Sequence, residues 1–347
     1  MAIQLTTQLV KLSGSAGPAA YNKLRKEVTD AKILEKSYIY YSVLIISVVL
    51  AMIASLFFLF HAETPVMVVV FCIILAIVTI QCTGIVHDAG HRAIAKSTLV
   101  NDIIGHIFAF SLATLFQQWR PSHDKHHAHT NEHDEDPDIN IPLLSFTVER
   151  AREKKGWQKL LLPYQAYVYF PFGSLVWISM RINNIRYLHK KPVSWAWYIE
   201  LTTWLVSIGI WFVLPFLLFP LWKSLLIFFV LNWTMGLYVL HVFAPNHKGM
   251  PEVARGTKIS FFEQQIVTSR NVTASPLVDF LYLGLNYQIE HHLFPSCPRN
   301  KQPQLAQIVK RYCKEYGFDY EICTPLQVDR IILKELALVS SAYQKNS

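Results

Sequence analysis

The chain has 347 residues, of which 52% are hydrophobic and 16% charged, with a mean hydropathy of +0.27. That balance excludes an ordinary soluble domain and fits a polytopic membrane protein. The formal charge of +8 is not gathered into a basic block, so no nucleic-acid partner is expected; basic residues flanking membrane spans account for it.

The first 37 residues are polar, without a short apolar core after a basic start, and read as a cytoplasmic segment with no cleaved signal peptide. Residues 38–60 and 65–86 carry no charge. A bilayer core needs roughly 20 apolar residues at about 1.5 Å rise each, so both qualify as spans. A second pair lies at about 195–221 and 224–245. Each pair is joined by a very short link, which predicts two transmembrane hairpins. Two further apolar runs, at about 103–118 and 160–180, are respectively short and broken by Pro163, Pro171 and Gly173. They read as interfacial or re-entrant pieces.

Lys and Arg number six before residue 38, none in the first hairpin link, thirteen from 86 to 194, one (Lys223) in the second link and twelve after 245. Positive loops stay in the cytoplasm, which puts both links outside and the rest inside. The expected fold is an all-α integral membrane protein: four transmembrane helices in two hairpins, with a cytoplasmic helical cap. Its domain runs from 38 to 315, and residues 316–347 form a cytoplasmic tail. The five cysteines contain no C-x-x-C pair and suggest neither a disulfide framework nor a zinc knuckle.

The fourteen histidines are unevenly spread. His87 and His91 form H-D-A-G-H at the inner end of the second span. His123, His126 and His127 form H-D-K-H-H. Gln288, His291 and His292 form Q-I-E-H-H. Spacings of three and four put imidazoles on one helix face. By the charge count all three clusters fall on one side of the membrane. Seven clustered histidines exceed the four ligands of a single tetrahedral zinc, so the number favours two metal ions, although imidazole also suits iron, copper, nickel and zinc. His241 and His247 lie near the inner end of the last span, and either could add a ligand, with Asn246 beside His247 placed to orient it. Asp88 and Asp136, with Glu132 and Asp138, could orient ligand imidazoles through the second ring nitrogen or could simply be solvated acids. His61, His106 and His189 read as packing or interfacial residues, and His129 and His133 as hydrogen-bonding ones.

In order, spacing and layout the three boxes resemble those of the membrane fatty acid desaturase family, over roughly residues 38–315. The Gln of the third box is similar to front-end desaturases and to a group of bacterial acyl desaturases. The resemblance implies a non-haem di-iron centre with the seven box histidines as ligands and a further one between the second and third boxes. It also implies O2 as co-substrate, an acyl-CoA or acyl-lipid substrate and two electrons. The sequence holds no H-P-G-G of a fused cytochrome b5, so the expected donor is a separate ferredoxin or cytochrome b5 with its reductase. The rivals are an acyl hydroxylase of the same superfamily, which the boxes do not separate, a membrane zinc hydrolase, which the surplus of histidines disfavours, and a haem-carrying cytochrome, which would place its axial histidines inside the spans.

Overall fold

The computed structural model describes residues 16–139, 141, 143–254 and 256–345. The first fifteen residues of the expected N-terminal segment, and the last two of the tail, lie outside them. Four helices are long and apolar enough to cross a membrane: Tyr38–Phe60, Pro65–Gly90, Trp195–Leu218 and Leu221–His247. These are the four expected spans. The second runs on past 86 to Gly90 and the fourth to His247, so each carries histidine in its last turn.

We label the helices that matter here α1 (Ala16–Asp30), α2 (Tyr38–Phe60), α3 (Pro65–Gly90), α4 (Thr98–Ser111), α5 (Phe116–Ala128), α6 (Val176–Lys190), α7 (Trp195–Ile208), α8 (Leu221–His247), α9 (Phe261–Val267), α10 (Gln288–Leu293), α11 (Gln302–Tyr316) and α12 (Pro325–Lys345). Local chemistry sets the helix starts. Thr64 caps α3 by accepting from the Met67 N–H, with Pro65 in the first turn where its missing donor costs nothing. Ser97 caps α4 in the same way through Val100 N. Gly317, at φ +72, closes α11 in the left-handed conformation that glycine tolerates best. The third span is not uniform: α7 passes into a π-turn at Gly209–Val213 and then a short helix at Leu214–Leu218. Pro215 lacks the N–H that a regular α-turn would use there.

The chain divides into two compact units. The membrane unit holds Lys36–Pro121 and Gly173–Leu240. In it α2 lies along α3, with the Phe58 and Phe71 rings stacked 5.4 Å apart. The outer face of α2 shows Ile39, Val43, Ile46, Leu50 and Ile53, a stripe of apolar side chains at helical spacing that suits lipid. Gly236 on α8 lies so close to the Ser174 carbonyl that a Cβ there would collide with it, the small-residue contact common between membrane helices.

The second unit, here the helical unit, comprises the described residues up to Glu35, Ser122–Phe172 and those from His241 on. Its core gathers Leu24 and Val28 of α1, Phe262 and Ile266 of α9, Ile289 and Leu293 of α10, and Leu305 and Val309 of α11. The all-α expectation meets one exception here. Asn271–Val272 (β1) pairs in parallel with Ile322–Cys323 (β2). Helix α12 buries Val328, Ile332 and Leu336 completely, so the segment expected as a tail is packed into this unit.

The two intermediate apolar runs do not form straight spans. Helices α4 and α5 meet at 110° across a short break, where Ala113 has φ +48. The stretch at 160–180 falls into short pieces, with Pro171 inside Gln165–Gly173.

Candidate metal centre

Six imidazoles converge within the helical unit, each from a helix end. Helix α5 supplies His123, His126 and His127 in its last two turns, the last turn of α8 supplies His247, and α10 supplies His291 and His292. The histidine rings of the second and third boxes and His247 are all at least nine-tenths buried. They fall into two triads. His123, His127 and His291 bring one ring nitrogen each to within 4.8 Å of one another, and so do His126, His247 and His292. The rings of His127 and His292, one from each triad, stack with centroids 4.1 Å apart.

The second triad is oriented from behind. His126 Nδ1 lies 2.9 Å from both carboxylate oxygens of Asp136. Asp136 also accepts from the N–H groups of Asn131 and Asp138, each at 2.8 Å. Burial works to raise the Asp136 pKa, but the hydrogen bonds from His126 and the two backbone donors hold it below the usual carboxylate range. His247 Nδ1 lies 3.0 Å from the Thr268 carbonyl, which can only accept, so Nδ1 donates. Gln265 donates its amide to the His127 carbonyl at 3.2 Å, which turns its oxygen toward His292 Nδ1 at 2.8 Å. All three rings therefore carry their proton on Nδ1 and keep the lone pair on Nε2. Burial, followed by the neighbouring imidazoles, pushes the His292 pKa well down, so that ring is neutral, the form that binds metals.

These features fit a cation. His292 Nε2 is buried without a hydrogen-bond partner, a cost that a metal bond would remove. In the other triad the Nε2 atoms of His127 and His123 are 3.2 Å apart, and those of His291 and His127 are 3.1 Å apart. Three Nε2 atoms this close form a donor set that one cation could share. Gln288 sits at the same place, its amide nitrogen 2.9 Å from His247 Nε2.

The H-D-A-G-H pair belongs to the membrane unit. His87 and His91 are neighbours at the end of α3, with ring centroids 4.7 Å apart. Asp88 accepts from the Tyr41 hydroxyl at 3.1 Å, and its other oxygen is 3.5 Å from His87 Nδ1.

Residues 63–322 match the family of the fatty acid desaturases. The chain belongs to that family. It is 28% identical over 315 residues to the Delta(6)-fatty-acid desaturase fat-3 of Caenorhabditis elegans, covering 87% of this chain and 70% of that protein. It is 28% identical over 342 residues to an acyl-lipid (9-3)-desaturase of Physcomitrium patens, covering 93% and 63%. A Delta 8-(E)-sphingolipid desaturase of Emericella nidulans is 29% identical over 259 residues, covering 69% of this chain and 47% of that protein. The chain thus spans about half to 70% of the length of these relatives.

Of the residues that the sequence of this desaturase-family chain singles out, the structure brings Gln288 and Asp136 to the triads and does not bring His241. The His241 ring stacks on Phe170, 5.2 Å between centroids, and its Nε2 is 3.9 Å from Asp329. Asn246 does not orient His247; its amide donates back to the Val242 carbonyl at 3.1 Å. His129 pairs with Glu132 at 2.8 Å, the hydrogen-bonding role expected of it, and His133 lies 3.2 Å from Asp134.

Sequence reasoning missed Gln265, Thr268, Asn271 and Glu290. Glu290, inside the third box, is completely buried and accepts from Asn271 Nδ2 at 2.8 Å and the Tyr320 hydroxyl at 2.6 Å. Burial raises its pKa to about 7 against those two hydrogen bonds. Asn271 also accepts from Ile289 N at 2.9 Å, so one side chain ties β1 to the start of α10. The only signal for Glu290 was an acid flanked by Ile289 and His291. Nothing in the local pattern marked Gln265 or Thr268.

Proposed function

We propose that this chain inserts a cis double bond into a fatty-acyl chain at a centre of two non-haem iron ions. The observation that carries this reading is the pair of buried imidazole triads, one of them anchored through all three Nδ1 atoms so that three Nε2 atoms face inward. His123, His127 and His291 are the ligands assigned to one ion, and His126, His247 and His292 to the other. His87 and His91 join the ligand set on the strength of the H-D-A-G-H pattern. His247 takes the additional position in preference to His241.

An unactivated methylene has no acidic proton and no leaving group, so side chains alone cannot oxidise it. The metal centre would supply the oxidising chemistry, in which O2, two electrons and two protons take two hydrogens from adjacent carbons and leave an alkene and two waters. The chain's own residues do the rest. Asp136, Gln265 and the Thr268 carbonyl hold ring tautomers and orientations, as partners behind metal ligands generally do. Burial excludes water from the triads. The names of the relatives, which act on fatty acids, acyl-lipids and sphingolipids, support an acyl substrate on coenzyme A or a lipid. The charge distribution supports placing the hairpin links outside and the histidine boxes on the cytoplasmic side, where a ferredoxin, or a cytochrome b5 with its reductase, would deliver electrons.

The test is expression in a desaturase-free host membrane, with fatty-acid profiling by gas chromatography and mass spectrometry beside a His126→Ala control. A new unsaturated species absent from the control supports the reading, and a product heavier by one oxygen replaces it with hydroxylation. Metal analysis of the purified protein should give about two irons per chain; one zinc, or a haem spectrum, overturns it.

A further inference from the structure

Helix α8 ends at His247, so the last carbonyls of the turn that carries this ring lack N–H partners within the helix. Arg270 serves three of the four carbonyls from Pro245 to Lys248. Its backbone N–H donates to the Asn246 carbonyl at 2.9 Å. Nε and Nη2 donate to the Pro245 carbonyl at 3.1 and 2.9 Å, and Nη2 also donates to the Lys248 carbonyl at 2.7 Å. The remaining carbonyl, of His247 itself, accepts from the Met250 N–H at 3.1 Å. The guanidinium therefore bridges the backbone on the two sides of His247.

The Arg270 side chain is buried, with 1% exposure for the residue. A buried guanidinium is costly unless acceptors and a counter-ion meet it, and Glu321 Oε1 lies 3.3 Å from its Nη1. Glu321 stands just before β2, and its carbonyl accepts from the Asn271 N–H of β1 at 3.0 Å. The clamp is thus anchored through the β1–β2 pair and not through α8. The same short segment reaches the site twice more. The Thr268 carbonyl lies 3.0 Å from His247 Nδ1, and the Asn271 side chain accepts from Ile289 N in the first turn of α10 at 2.9 Å. Residues 268–271 thereby hold His247 by its ring and its backbone, and also hold the start of the helix that carries His292, a member of the same triad.

We propose that Arg270 is a positioning residue of the metal centre, fixing the turn around His247 so that Nε2 of this ring faces the place it shares with His126 and His292. The inference rests on the reading of the triads as metal ligands. A guanidinium suits the task because its donors lie in one rigid plane, which sets the spacing of the two carbonyls it bridges; a lysine ammonium would supply the charge without that geometry. The bonds of Arg270 go to main-chain carbonyls and to Glu321, so its effect on a bound ion runs through His247.

The full chain, purified in detergent and stripped of metal, is titrated with Fe2+ without oxygen against a competing chelator. The readout is iron bound per chain at each free Fe2+ level, with the unfolding midpoint of the metal-free protein recorded beside it. Wild type, Arg270→Met, His247→Ala and the double variant form a cycle. Arg270→Met should weaken one of the two ions by about 10–100-fold, the loss typical of groups that orient ligands, and leave the other at wild-type affinity. Arg270→Lys should recover part of that loss. With His247→Ala already in place, adding Arg270→Met should bring no further loss of affinity, whereas a merely structural role would bring its full loss again. That second result, or wild-type affinity for both ions in Arg270→Met, overturns the positioning role. If Arg270→Met yields no folded protein, Arg270→Gln, which keeps one amide donor, takes its place in the cycle with the same outcomes. Wild-type protein that binds no iron overturns the reading of the triads, and the role of Arg270 falls with it.

Discussion

The imidazole of His126 and the carboxylate of Asp136 meet at 2.9 Å through both carboxylate oxygens, ten residues apart across the turn that follows α5. That carboxylate is itself pinned by two backbone N–H groups, so it can hold the His126 ring in one tautomer. Partners behind metal ligands commonly contribute about 10–100-fold in affinity or activity. Asp136→Asn should lower metal content and product yield by about that factor while leaving the helical circular dichroism unchanged.

His292 depends in the same way on Gln265, whose oxygen lies 2.8 Å from Nδ1. Gln265→Leu removes the acceptor and leaves Nδ1 with only the Thr130 hydroxyl, 3.0 Å away, a cost of about 1–3 kcal/mol. Gln265→Glu keeps an acceptor at the same place. Iron content, measured alongside activity, should fall strongly in the first variant and recover at least in part in the second. Equal loss in both would mean that Gln265 only packs.

The histidine pair near the end of the fourth span should separate cleanly. His247 faces His126 and His292, with centroids 4.8 and 4.7 Å away, whereas His241 stacks on Phe170. His247→Ala should abolish activity and lower the iron bound per chain. His241→Ala should keep most of both, and a loss matching that of His247→Ala would remove His247 from its assigned place.

Asn271 serves two buried partners, the Ile289 N–H and the Glu290 carboxylate. Asn271→Ala leaves both short of a partner and should cost about 2–4 kcal/mol, from a neutral and a charged hydrogen bond together. The expected result is a clearly lower midpoint of thermal unfolding in detergent. Arg186→Ala, exposed on α6, should change it little.

Lys223, the one basic residue in the second link, donates to the carbonyls of Phe60 and Ala62 at 2.9 and 2.8 Å. It thereby satisfies orphan acceptors at the end of α2. Lys223→Met should destabilise the membrane unit by about 1–3 kcal/mol, read as faster proteolysis at the 61–64 link.

The spans and the histidine boxes were legible because their signals are local. An uncharged run at 38–60 needs no partner to be read as a span, and spacings of three and four imply a shared helix face wherever that helix goes. The short β1–β2 pair was not legible, since Asn271 and Ile322 are paired across some fifty intervening residues and two-residue strands carry no periodic pattern. The packing of α12 against the helical unit was likewise hidden, because an amphipathic helix shows that it has an apolar face but not what covers it.

By itself, the sequence determined which residues could bind metal and which segments could enter a bilayer, both being properties of residue type and short-range spacing. The tertiary structure alone separated the places of His241 and His247. Six residues on a helix are about 240° apart around its axis, so the two rings face different surroundings: Phe170 and Asp329 for His241, and the rings of α5 and α10 for His247. It alone also identified Gln265 and Thr268 as groups that orient the rings, whereas Asp136 was already a candidate in the sequence. Gln265 and the Thr268 carbonyl act through directed hydrogen bonds, and such bonds are set by the close packing of segments distant in the chain, which no local pattern encodes.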